Sequence, residues 1–246
     1  MNSKLYATAL VAGALLCPIS SQAGPSDYVY TPSVTYGERE IDFKAGSADK
    51  KDTPVEAAAS IGFGYGVKQW WFTEFYLKYK RELNEDTKFD AYEWENKFQL
   101  TEAGQYPVDV GFLLEIERPK DHDEGWEVKW GPLFQTEFGK VQLNANLLFQ
   151  RNYHAAAPSN MQLQYQWQIK YRWLPQFEYG LQGFGEAGDY DNWSQQDEQI
   201  HKLGPAVFGK LPLGGGHAIR YNAAWLLGAS KAAPDNTVRL QVEYEF

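Results

Sequence analysis

The chain has 246 residues, a single cysteine, and 32 acidic against 23 basic residues, which give a formal net charge of −9. The acidic balance and the absence of a clustered basic patch exclude nucleic acid as an expected partner. The mean hydropathy of −0.53 suits a soluble protein, but it also suits a membrane barrel, whose alternating strands never form a long apolar run.

The first 23 residues have the layout of a secretory signal peptide. Lys4 gives a positive start, an apolar run extends from Leu5 to Leu16, and small residues precede the expected cleavage after Ala23. The apolar run is shorter than the ~20 residues of a transmembrane helix. Residues 1–23 are therefore predicted to be a cleaved signal peptide, and residues 24–246 a single exported domain. Cleavage removes Cys17, so no internal disulfide is expected.

After the signal peptide, apolar and polar residues alternate with the period of a β-strand. The longest run, from Met161 to Trp173, places apolar and aromatic side chains on one face and mostly glutamines on the other. It is longer than the ~5–6 residues of an ordinary strand and suits the ~9–11 residues of a membrane-spanning strand. Similar segments predict strands at residues 28–43, 57–67, 70–81, 88–100, 108–117, 126–138, 141–151, 161–173, 177–186, 200–210, 217–228 and 238–246.

These segments predict an all-β fold, a closed antiparallel up-and-down transmembrane β-barrel of about twelve strands. Two segments are irregular because Pro32 and Pro205 lie inside them, so barrels of about ten or fourteen strands remain open. Short turns such as Gly139-Lys140 alternate with longer polar loops such as residues 187–199. This alternation supports the barrel, because bacterial barrels have short turns at one end and longer loops at the other.

The C-terminal strand carries a specific resemblance. In VRLQVEYEF, apolar residues occupy every second position and end in Tyr244 and Phe246. The strand resembles the closing strand of Gram-negative outer-membrane proteins, which typically end in Phe and are recognised there by the barrel-assembly machinery. The resemblance implies an outer-membrane location, an assembly signal at Tyr244 and Phe246, and contact with membrane lipid and lipopolysaccharide. In architecture the chain is similar to small porins of about twelve strands, but it lacks the arginine tracks of porins for acidic sugars, so no substrate family is identified.

Polar residues opposite the apolar faces are predicted to line the lumen. Carboxylates are in excess among them, which predicts a narrow, mildly cation-preferring pore for passive diffusion of small hydrophilic solutes or ions. The alternative is a non-conducting barrel with a structural or ligand-binding role, because barrels of this size lie between filled and open ones. The predicted lumen-lining residues are Glu74, Lys78, Glu93, Glu95, Lys97, Glu115, Glu117, Glu127, Lys129, Glu137, Gln166, Gln168, Lys170, Arg172, Glu186, Arg220, Arg239 and Glu243.

A lipid hydrolase is a weaker alternative. His154, Ser159 and Asn160 lie in one outer loop, but barrel phospholipases would have a serine where Ala156 stands. The chain is therefore predicted not to be an enzyme, with no catalytic residues. The acidic loop at residues 121–124 could attract a divalent cation, yet such loops are commonly solvated, so neither a metal site nor a cofactor is predicted.

Overall fold

The structure, a computed structural model, describes residues 24–53, 55–82 and 86–246. Thirteen strands form one antiparallel sheet, and strand pairing closes it into a ring. Twelve long strands make up the ring, and the thirteenth is a two-residue strand beside it. The predicted twelve-stranded barrel is confirmed. The predicted signal peptide at residues 1–23, with Cys17, lies outside the described residues.

From the second strand onward the boundaries follow the predicted segments to within a few residues. The strands are β1 (Arg39–Asp49), β2 (Glu56–Lys68), β3 (Trp71–Glu82), β4 (Lys88–Gln99), β5 (Asp109–Pro119), β6 (Trp126–Phe138), β7 (Val141–Tyr153), β8 (Gln162–Leu174), β9 (Phe177–Asp189), β10 (Asn192–Trp193), β11 (Ile200–Gly214), β12 (His217–Gly228) and β13 (Asn236–Glu245). A 3₁₀ turn spans His122–Glu124 between β5 and β6. Across the described part of the chain, no helix is long and apolar enough to cross a membrane.

The first predicted strand, at residues 28–43, is wrong over residues 28–38. β1 begins only at Arg39, and just before it Gly37 and Glu38 exchange backbone hydrogen bonds with Gly66 of β2. The ladder between β1 and β13 starts at this point, where Phe246 N donates to Arg39 O at 2.9 Å. The earlier part of this stretch instead finds partners among side chains inside the barrel, where Tyr30 is 6% exposed.

β11 passes through Pro205 without ending, as predicted. Pro205 pairs with Leu181 of β9, whereas the register towards β12 has a gap at Gly204 and Pro205. A proline has no N–H to donate to a ladder. The strand therefore tolerates Pro205 because the residue lies where its ladder with β12 is interrupted.

The barrel wall has an apolar outer face and a polar inner face. On β4, Trp94 is 46% exposed, whereas the adjacent Glu95 is 1% exposed. Successive side chains of a strand point to opposite faces, so this contrast repeats along the strands. An exposed apolar face around a buried polar lumen is the arrangement of a barrel that meets lipid.

The two ends of the barrel differ. At one end, named here the short-turn end, tight turns at residues 139–140 and 175–176 join the strands. At the other, the long-loop end, the connections include residues 120–125, 154–161 and 190–199. The connection lengths therefore follow the predicted alternation, except that the longer connection at residues 100–108 lies at the short-turn end.

Candidate pore and the segment inside it

Carboxylates cover the luminal wall of β13 and β1–β6, a region named here the acidic half. Strand register aligns them in two neighbouring rows. In the first row Glu40 and Glu74 both lie opposite Gly64. The row continues with Glu95 opposite Glu74, and with Glu115 opposite Glu95. The second row holds Glu243, Asp42, Glu93, Glu117 and Glu127.

Two lysines brace the acidic half. Lys78 Nζ donates to Glu93 Oε2 at 2.8 Å and to Glu117 Oε2 at 2.5 Å. Lys129 Nζ donates to Glu115 Oε1 at 2.8 Å. Carboxylate oxygens of the three glutamates lie within 4.8 Å of one another, a spacing that a metal ion could bridge. The lysines already offset their charge, however, so the group is an ion-pair network.

Amide side chains cover the opposite wall, formed mainly by β7–β9. Gln182 is fully buried, donates to Gln168 Oε1 at 2.7 Å and accepts from Arg239 Nη2 at 2.8 Å. Gln166 and Gln168 are among the predicted lumen-lining residues, but most of this network was not predicted, although the alternation of polar residues could have revealed it. The missed buried amides are Gln135, Gln142, Asn144, Asn146, Gln150 and Gln182.

Residues 24–38, named here the luminal segment, run through the lumen. Near its start, the carbonyl of Asp27 accepts from Arg239 Nη1 at 2.8 Å. Towards the short-turn end, Val34 N donates to Gln99 Oε1 at 2.8 Å. The segment is thus tied to the wall at both ends and crosses the space that a solute would use.

Two tyrosines anchor the middle of the luminal segment to the acidic half. The hydroxyl of Tyr28 donates to Glu95 Oε2 and that of Tyr30 donates to Glu115 Oε2, both at 2.8 Å. Asn146 Nδ2 donates to the backbone carbonyl of Tyr30 at 3.1 Å. Burial, followed by the nearby glutamate charges, raises the pKa of both phenols well above the ordinary value. Both hydroxyls therefore remain donors.

The luminal segment also packs against apolar side chains that point into the lumen. Val29 and Tyr30 insert into two separate clusters, so the segment is held by packing as well as by hydrogen bonds. The first cluster contains Val29, Phe184, Ala206, Phe208, Ala224 and Leu226. The second contains Tyr30, Leu113, Leu133 and Leu148, with Tyr28 against it.

Open space remains beside the luminal segment, in a cavity of about 650 Å³ at the short-turn end. Its lining includes Glu40 and Glu74 of the acidic half, and Lys170 and Arg172 of β8 on the other side. The open volume of the lumen therefore adjoins charged side chains of both signs.

Strand register places the predicted lumen-lining residues on the inner wall, and their part in permeation remains a prediction. Those near the rim are the more exposed, and Arg172 pairs there with Glu137 at 2.8 Å. The buried group is Glu74, Glu93, Glu95, Glu115, Glu117, Lys129, Gln166, Gln168 and Arg239. The partly exposed group is Lys78, Lys97, Glu127, Lys170, Glu186 and Glu243, and the exposed group is Glu137, Arg172 and Arg220.

Tyr244 and Phe246 lie together at the short-turn end, where their rings stack with centroids 5.5 Å apart.

The outer loop that suggested a hydrolase gives Ser159 other partners: its Oγ accepts from Asn152 N at 3.1 Å and donates to Asn160 O at 3.3 Å. Among the described residues, no hydrogen bond joins Ser159 to His154. This loop therefore holds no nucleophile and base in contact.

Solved structures similar to this one are outer-membrane barrels. The translocator domain of the autotransporter NalP from Neisseria meningitidis is 14% identical, with a TM-score of 0.53, over 86% of this chain and 89% of its own. An outer membrane channel from Pseudomonas putida F1 is 12% identical, with a TM-score of 0.55, over 89% and 98%. The NanC porin is 8% identical, with a TM-score of 0.53, over 84% and 98%.

The chain has the fold of outer-membrane β-barrels. No protein-family model and no curated protein matches the sequence. At these identities the similarity shows the fold alone.

Proposed function

We propose that the chain is an outer-membrane channel for small hydrophilic solutes or ions, with a mild preference for cations. The observation that carries this proposal is the acidic half, in which Glu74, Glu95 and Glu115 are buried in the luminal wall. Carboxylates outnumber lysines there, and fixed negative charge in a narrow lumen raises the local concentration of cations. Two of the structural neighbours are named as a channel and a porin, which supports the same activity.

The proposal includes export and assembly. The chain is cleaved after Ala23, and residues 24–246 form one domain in the outer membrane, in contact with lipid and lipopolysaccharide. Tyr244 and Phe246 form the signal for the barrel-assembly machinery. Diffusion through the lumen needs no cofactor and no catalytic residue.

A second candidate is a non-conducting barrel that binds a ligand. The luminal segment favours it, because Tyr28 and Tyr30 bridge to the wall in the middle of the lumen. The two candidates differ in what removal of this segment does. A channel conducts better once the luminal segment is removed, whereas a barrel closed by the side chains of its own wall still conducts nothing.

Liposome swelling tests the proposal. Liposomes that contain the refolded wild-type barrel, or a variant that lacks residues 24–34, are diluted into an isotonic solution of a small neutral sugar. Swelling is expected with the wild type and faster swelling with the shortened variant. Absence of swelling from both folded, inserted proteins would contradict the channel and favour the second candidate.

A further inference from the structure

The short-turn cavity has one strongly acidic side. Glu40, Asp42, Glu74 and Glu243, named here the carboxylate wall, line it from β1, β3 and β13. Asp42 lies opposite Glu243 across the β1–β13 ladder. Glu40 and Glu74 lie on either side of Gly64 of β2.

Glycine on β2 makes this concentration of charge sterically feasible. A Cβ at Gly64 would meet the ring of Phe72 and would lie 2.9 Å from Glu40 Cγ. A Cβ at Gly62 would lie 2.9 Å from Glu74 Oε1. Because β2 lacks side chains at these inward positions, both glutamates extend across it. The two carboxylates therefore share one pocket beside the cavity.

Two carboxylate oxygens of the wall are buried and lack a hydrogen-bond partner. They are Glu74 Oε1 and Asp42 Oδ1, on side chains of residues 3% and 1% exposed. Lys44 approaches the other oxygen of Asp42, at 3.6 Å. Lys97 lies over the ring of Phe72, 5.0 Å from its centroid. Buried carboxylates normally have their charge offset, so this wall has unused capacity for a positive group.

The other basic residues that line the cavity form their ion pairs with carboxylates outside the wall. Lys170 Nζ lies 3.1 Å from Glu178 Oε2 and Lys210 Nζ lies 2.5 Å from Glu245 Oε2. Arg220, which lies opposite Glu243 across the β12–β13 ladder, pairs with the same Glu245. Glu178 and Glu245 thus take the ion pairs of these three cations, and the two unpartnered oxygens of the wall remain without one.

We propose that the carboxylate wall binds the ammonium group of a small amine solute. An ammonium group can donate to three acceptors, which the carboxylate oxygens of the wall supply. Tyr28 and Phe72 line the same cavity, with Lys44 and Lys97 over their rings. The volume of about 650 Å³ falls in the range of small-molecule sites. This inference rests on the proposed channel function for the route of the solute, and it names the solute class.

Isothermal titration calorimetry on the folded, detergent-solubilised barrel tests the site. The probe is butylammonium, and the matched neutral probe is n-butanol, which has the same carbon chain without the charge. Butylammonium is expected to bind and butanol to bind much more weakly or not at all. Calorimetry needs no conduction, so its result is separate from the outcome of the swelling assay.

Glu74→Gln keeps the shape of the side chain and removes its charge. Loss of a charge-assisted hydrogen bond is expected to weaken butylammonium binding by about tenfold or more. Glu40→Gln is a second variant with the same expected direction, should the first fail to fold. Glu102→Gln is the control, because this exposed carboxylate belongs to a connection at the same end of the barrel, outside the cavity.

Selective binding of butylammonium that Glu74→Gln weakens and Glu102→Gln leaves unchanged supports the site. Three results would overturn it: no heat from butylammonium with the folded wild type, equal binding of butanol, or unchanged affinity in both Glu74→Gln and Glu40→Gln. Swelling of liposomes together with any of these results would leave the channel standing and remove only the amine site.

Discussion

Tyr30→Phe isolates one contact of the luminal segment. The substitution keeps the ring against Leu113, Leu133 and Leu148 but removes the hydroxyl that donates to Glu115 Oε2 at 2.8 Å. A hydrogen bond to a charged group stabilises by about 1.5–3 kcal/mol. The free energy needed to release the luminal segment from the wall should therefore fall by that amount. The population with an unobstructed lumen is then expected to rise by about tenfold to a hundredfold.

The assay is single-channel recording in planar bilayers, with the fraction of time in the high-conductance state as the readout. The matched control is Tyr36→Phe, because Tyr36 belongs to the same segment but is 63% exposed. It should behave as the wild type. An open fraction in Tyr30→Phe equal to that of the wild type would refute the claim that this hydroxyl holds the segment in place.

Three further substitutions test other parts of the structure. Gly46→Ala introduces a Cβ that would collide with the backbone carbonyl of Pro25. Because the clash displaces the luminal segment, a protease should cut this segment faster in the folded variant than in the wild type. Equal cutting rates would contradict this contact. Lys129→Met leaves Glu115, which is 1% exposed, without its lysine. The free energy of unfolding, measured with denaturant, should fall by about 3–5 kcal/mol. An unchanged denaturant midpoint would argue against a buried ion pair. Phe246→Ala should reduce membrane insertion in cells but not refolding in detergent, and normal insertion would remove the assembly role.

Most strands could be predicted from the sequence because the alternation that identifies them is local. β6 (Trp126–Phe138) and β12 (His217–Gly228) match their predicted bounds. The first strand failed because Tyr28 and Tyr30 alternate with their neighbours as strand residues do. Nothing local distinguishes an aromatic residue that faces lipid from one that packs inside the lumen.

The sequence allows a prediction of which residues point inward. It does not allow a prediction of which of these residues contact each other. Carboxylates on alternate positions predict an acidic wall. That Lys78 bridges Glu93 and Glu117 depends on the register between β3, β4 and β5, which no single strand reveals. The open cavity also depends on Gly64 lying between two glutamates of neighbouring strands.

The central claim is that the lumen is a cation-preferring route across the membrane. The most direct test is the reversal potential of single channels under a potassium chloride gradient, measured on the wild type and on the variant that lacks residues 24–34. The account predicts discrete steps, a reversal potential towards the cation side in both proteins, and a larger conductance in the shortened variant. Silence from both folded, inserted proteins, or a reversal potential towards the anion side, would contradict it.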